Sequence, residues 1–203
     1  NIRDSPATRQ YELASRLSYF LWSSMPDQEL FDLAAKGKLA DPAVIEAQTR
    51  RLLADKRSAD FVENFTTQWL GIAKMKTVNI NRDLFPRFLY TVHLGERRGQ
   101  EVSFRPTIRD DMEEETLGFI GELIKRNASV LNIVDSDFAY LNERLAVHYG
   151  VEGVKGLGFR PVPIKPGHQL GGLLTHGSVL IGNSTGSAPH PIYRAVWLRE
   201  AIL

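Results

Sequence analysis

Apolar residues recur every three or four positions along much of the chain, and short polar or Gly/Pro breaks separate the runs. That pattern predicts amphipathic helices joined by tight turns. Ser5-Pro6 supplies a cap and a first-turn proline for a helix carrying Tyr11, Leu13, Leu17, Phe20 and Leu21 to about Trp22. Ser23-Ser24-Met25-Pro26 breaks it. Asp27 opens a short helix through Leu30, Leu33 and Ala34 that Gly37 stops. Asp41-Pro42 repeats the cap-plus-proline start, ahead of Val44, Ile45, Leu52 and Leu53. Ser58 is placed to cap a fourth helix, with Phe61, Val62, Phe65, Trp69 and Leu70 as its buried stripe and Gly71 as its stop. Residues 1–87 are thereby assigned to an antiparallel four-helix subdomain.

The periodicity then lapses. Residues 88–106 read as an irregular excursion, with Thr91-Val92-His93-Leu94 as its strand-like segment. Thr107 with Asp110 forms a capping-box pattern, and Met112, Leu117, Ile120, Leu123 and Ile124 give a long helix its apolar face. Over residues 137–149 the spacing of Leu141, Leu145 and Tyr149 predicts one further helix, stopped by Gly150. Two prolines hold residues 159–164 extended. The chain closes on a helix-loop-helix from Gly171 onwards. The fold class expected is all-α: the antiparallel subdomain, then a second helical subdomain (107–158) and a C-terminal segment (159–203) with its short extended stretch.

Composition narrows the function classes more than it selects one. The 203 residues are 43% apolar and 24% charged, with a net charge of +1, so no strong field argues for nucleic acid. No apolar run is long enough to span a membrane. There is no cysteine, which excludes disulfides, thiolate metal sites, a cysteine nucleophile and a covalently attached c-type haem within this chain. The sequence begins at Asn1 and ends inside an amphipathic pattern, so it reads as a piece of something longer.

Candidate chemistry gathers near the C-terminus. Asn183-Ser184-Thr185-Gly186-Ser187 precedes a helix start at Pro191, with Arg194 in its first turn and His176 and His190 nearby in sequence. Free amides, hydroxyls and a helix N-terminus attract anions, so His176, Asn183, Ser184, His190 and Arg194 are the candidate binding residues. The plainer expectation is that the loop residues satisfy their own backbone. His168, His176 and His190 are spaced by eight and fourteen residues, which fits no usual zinc pattern, and no metal is assigned. Asp110, Asp111, Glu113, Glu114 and Glu115 crowd the start of the long helix, where the dipole favours acids. Asp111, Glu115 and Glu122 share one face, which could do acid–base work but is expected to be a solvated surface.

Residues 11–27 (YELASRLSYFLWSSMPD) and 138–150 (FAYLNERLAVHYG) resemble the opening and close of a planctomycete cytochrome-associated domain of unknown function. The segment 159–162, Gly171-Gly172-Leu173-Leu174-Thr175-His176, and Pro191-Ile192-Tyr193-Arg194 with Trp197 resemble the domain that normally follows it. The resemblance implies a large exported, extracytoplasmic protein with c-type haem in neighbouring domains and a c-type cytochrome domain as partner. It implies no settled reaction. The leading expectation is a structural or interaction scaffold. The rivals are an enzyme or electron-transfer domain with an anion or metal site in the C-terminal helix-loop-helix, and a carbohydrate-binding module using exposed Trp22, Trp69 or Trp197.

Overall fold

The structure is a computed structural model that describes residues 5–81, 83–85, 88, 107–165 and 167–203. The strand-like segment at Thr91–Leu94, and all but Phe88 of the excursion assigned to 88–106, lie outside the described residues. The chain is mostly helical, with one small two-stranded antiparallel sheet among the described residues. It divides into two compact units, Asn1–Phe65 and Thr66–Leu203.

The first unit contains α1 (Pro6–Trp22), α2 (Gln28–Ala35), α3 (Pro42–Ala54) and the opening of α4 (Ser58–Leu70). Its helix ends follow the local signals. Ser5, Asp27 and Asp41 each accept a backbone N–H at a helix start, and Gly37 adopts the left-handed conformation after α2. Ser58 differs from expectation: it is the first residue of α4, and its hydroxyl donates back to the carbonyls of Leu53 and Asp55. Ala14, Leu21, Trp22, Leu30, Ala34, Leu39 and Leu52 form an apolar core. Polar atoms enter that core in matched pairs. The Trp22 indole donates to the Leu52 carbonyl at 2.9 Å, and the Gln10 side-chain oxygen accepts from Leu39 N at 2.8 Å.

The second unit adds α5 (Lys74–Thr77), α6 (Ile108–Arg126), β1 (Phe138–Leu141), α7 (Glu143–Tyr149), β2 (Arg160–Pro163), α8 (Gly177–Gly182) and α9 (Pro191–Ala201). The capping box at α6 is present in full: Thr107 caps Asp110 N, and the Asp110 carboxylate accepts from Thr107 N. The single helix expected over 137–149 is corrected to a strand followed by a shorter helix. Asn142 lies between them and accepts from Leu145 N, so α7 starts only at Glu143. Upstream, Phe138 pairs with Pro163 and Leu141 with Arg160 in the antiparallel ribbon. The prolines of β2 lack a donor, which suits an edge strand. Gly118 of α6 makes room for β1: a Cβ there would lie 2.0 Å from the Tyr140 ring.

Helix α6 joins two apolar clusters. Ile108 and Met112 pack with Met75, Leu141, Leu145 and Ala146, whereas Phe119, Ile120 and Leu123 pack with Leu70, Ile72, Phe138 and Leu173. The remaining buried positions of the helix are Asp111, Glu115 and Thr116. Polar residues in the middle of a core require partners, and these partners come from α7 and α8.

Candidate functional site

The helical repeat places Asp111, Glu115 and Thr116 on the inward side of α6, and each heads a separate part of one buried polar centre. The expectation of a solvated acidic face is corrected here. Glu122 does pair with Arg126 towards the surface, but Asp111 and Glu115 are buried.

Asp111 accepts two bonds from Arg144, from Nε at 2.8 Å and Nη2 at 2.6 Å, and a third from Asn142 Nδ2 at 2.9 Å. This fork matches the planar guanidinium to the carboxylate, the geometry in which an ion pair survives burial. Asn142 does two jobs, since its oxygen caps α7 while its amide holds Asp111.

Glu115 is completely inaccessible. Its Oε2 accepts from the Tyr149 hydroxyl at 2.8 Å, and that hydroxyl accepts from Gly177 N at 3.1 Å. Its Oε1 is buried with no partner. Burial pushes the carboxyl up to about 8, partly offset by the Tyr149 hydroxyl and the Gly177 amide, so Glu115 is a neutral acid at pH 7. Burial, followed by the neighbouring Glu115, also raises the Tyr149 phenol well above its ordinary range.

His176 completes the centre. Its Nδ1 lies 3.0 Å from Thr116 Oγ1, which in turn lies 2.6 Å from Ser178 Oγ and 3.2 Å from the Met112 carbonyl. Thr116 has one proton, so it donates to one of these neighbours and accepts from others. The imidazole meets the Phe119 ring edge-on at 4.9 Å. Burial lowers its pKa to about 3, and it is neutral at physiological pH. Gly177 beside it is tightly seated: a Cβ would fall 2.5 Å from Met112 Sδ.

The five residues expected to form a C-terminal site separate into different environments. Only His176 enters the polar centre. Asn183 Nδ2 donates to the Val179 carbonyl, and Ser184 Oγ donates to Ile181 O while accepting from Gly186 N. Thr185 likewise bonds within the loop, to Ser187 and Ala188. His190 caps α9 through Nδ1, which accepts from Tyr193 N, and its ring stacks on Tyr193 at 3.6 Å. Arg194 lines a pocket with Leu174, Val179, Leu180, Ala195, Trp197 and Leu198. Among the described residues no hydrogen bond, ion pair or ring contact joins any two of the five side chains.

The remaining candidates have local roles. His168 Nδ1 accepts from Lys165 N, and among the described residues no group of three His, Asp or Glu side chains is placed to hold a metal. The indole N–H groups of Trp22, Trp69 and Trp197 donate to the carbonyls of Leu52, Ala201 and Leu70. Trp22 is buried and also lies under the Arg57 guanidinium, 3.3 Å from the ring centre. Without cysteine the chain lacks the thiols that attach a c-type haem, so no step here runs through that group.

The centre as a whole holds a neutral acid, a phenol, a neutral imidazole and a paired carboxylate, all facing protein rather than an open cleft. Sequence reasoning missed Arg144, Asn142, Thr116 and Ser178 as its members. The available signal was the shared face of Asp111 and Glu115, which sits among the apolar positions of α6 rather than opposite them.

No characterised protein and no solved structure matches the chain. Residues 9–151 match a family model described as a protein of unknown function (DUF1592). The match takes in Asp111, Glu115, Asn142, Arg144 and Tyr149, while His176, Gly177 and Ser178 lie beyond it. With more than two thirds of its 203 residues matched, the chain belongs to the DUF1592 family.

Proposed function

We propose that this chain is a non-catalytic structural and interaction module of a larger exported, cytochrome-associated protein, with a c-type cytochrome domain as its partner and haem confined to neighbouring domains. The observation that carries the non-catalytic part is the closure of the polar centre. Glu115 and Thr116 are wholly inaccessible, and Asp111, Asn142, His176 and Ser178 nearly so. A general acid or base has to come within hydrogen-bond reach of its substrate, and here the polar groups reach one another instead. Their role is to tie α6 to α7 through Asp111–Arg144 and Glu115–Tyr149, and to α8 through the Gly177 amide and Thr116–Ser178.

The extracytoplasmic setting and the cytochrome partner rest on the resemblance of residues 11–27 and 138–150. The test uses the full-length protein and has two parts. Isotope-labelled chain titrated with the c-type cytochrome domain should show saturable shifts confined to one surface. Any turnover measured for the full-length protein should survive Glu115→Gln within about twofold, whereas a loss of about a hundredfold or more in a folded variant would place acid–base catalysis in the centre.

A further inference from the structure

We propose that the pocket beside α9 binds a small apolar carboxylate through Arg194. The pocket has a volume of about 200 Å³, and six of its seven lining residues are Leu174, Val179, Leu180, Ala195, Trp197 and Leu198. The seventh is Arg194, whose Nε is buried without a hydrogen-bond partner. Among the described residues no carboxylate pairs with its guanidinium. An orphaned N–H in an apolar lining is costly, because that one donor has lost water and gained nothing in its place.

The ligand class follows from those features. A carboxylate offers two oxygens to a guanidinium fork, and one negative charge balances one cation. A phosphate dianion would need further donors, which an otherwise aliphatic and indole lining does not supply. Drug-sized ligands occupy pockets of roughly 300–1,000 Å³, so this one is smaller. At ~30 Å³ per water-sized group it holds about seven such groups, the size of a short-chain fatty acid. Trp197 gives the site a fixed wall, since its indole is tied to the Leu70 carbonyl at 2.9 Å. This binding role stands apart from the module's place in a larger protein and does not depend on it.

Hexanoate is the probe, with hexan-1-ol and acetate as its apolar and charged halves. In amide and indole spectra of the labelled chain, hexanoate should shift the Trp197 indole saturably and bind about tenfold or more tightly than either control. Arg194→Met, which keeps the stem and removes the charge, should abolish the preference of hexanoate over hexan-1-ol and leave the rest of the spectrum in place. Equal binding of hexanoate and hexan-1-ol to the unmodified chain would overturn the proposal, as would hexanoate preference persisting in Arg194→Met. The comparison on the unmodified chain decides the matter even where the variant does not fold.

Discussion

The two units bury their charged side chains to different depths. In the first, Trp22 and Gln10 bond to the backbone of Leu52 and Leu39 inside the core, while the buried Gln48 joins the side chains of Glu29 and Arg51. Its main ion pair, Arg51–Asp27, stays partly wet, with side chains 30% and 24% exposed. In the second, side chains bond to one another inside the core, and Arg144–Asp111 is 9% and 3% exposed. Trp22–Leu52 and Gln10–Leu39 join positions 30 and 29 residues apart, and the bonds of the second centre join positions 28 to 62 apart, so the two interiors differ in the burial of charge more than in reach. Removing a partner should therefore cost little in one unit and much in the other.

The largest expected effect is at that pair of ion pairs. Arg144→Met leaves the Asp111 charge buried and unpaired, which should cost about 3–5 kcal/mol. Arg51→Met exposes a pair already in contact with water and should cost about 1 kcal/mol or less. Denaturant unfolding of both variants measures the contrast, and similar costs would break it.

In both units, what could be read in advance is what neighbours in sequence decide. Ser5-Pro6, Asp41-Pro42, Gly37 and the Thr107/Asp110 box are local instructions, each acting within a turn of itself, and the helices they bound were legible. Residues 137–149 were not, because Leu141 and Leu145 keep helical spacing while Asn142 between them starts a helix and so ends whatever precedes it. The strand is then fixed by pairing with residues 160–163, which no local pattern reports. Asp111 and Glu115 were legible as one face, yet whether that face is wet depends on Arg144, Asn142 and Tyr149. Acids in the first turns of a helix look alike in sequence whether the dipole or a distant arginine holds them.

The next effect concerns two left-handed glycines, one in each unit. Gly186 has φ +81° and a Cβ there would lie 2.0 Å from the Asn79 carbonyl oxygen, while Gly37 has φ +66° and open space. Gly37→Ala carries only the conformational cost of about 1–2 kcal/mol. Gly186→Ala adds overpacking against backbone and should cost about 2–5 kcal/mol in all. Thermal unfolding of the two variants gives the order directly.

pH sharpens the comparison further. Glu115 is raised from 4.5 to about 8, so its contribution is full below pH 4.5 and is lost as pH rises through 8. His176 is lowered from 6.5 to about 3, so its contribution is full above pH 6.5 and is lost as pH falls towards 3. Between 4.5 and 6.5 the two slopes cancel. The second unit should show a plateau there, an acid decline below it, and a fall of about 2 kcal/mol between pH 6.5 and 8. Glu115→Gln should flatten the alkaline limb and leave the acid limb. In the first unit the bond from Arg51 lowers Asp27 below its usual 3.8, so that group contributes stability above pH 3.8 that is lost as acid protonates it. Site-resolved hydrogen exchange against pH separates the two responses, and a matching alkaline fall in both units would erase the distinction.

The smallest effect is at the caps, where the units should agree. Ser5→Ala and Thr107→Ala each remove a side-chain acceptor from a helix start and should each cost about 1 kcal/mol. Equal small losses would show that the units differ in their interiors rather than in their helix ends.

The central claim is that Glu115 sits neutral in a closed centre that holds the second unit together. Its carboxyl carbon can be followed directly by NMR as pH is raised. A midpoint near 8 is the predicted result. A midpoint near 4.5, the ordinary glutamate value, would mean that water or a ligand reaches the carboxylate, and the closed, non-catalytic centre would be contradicted.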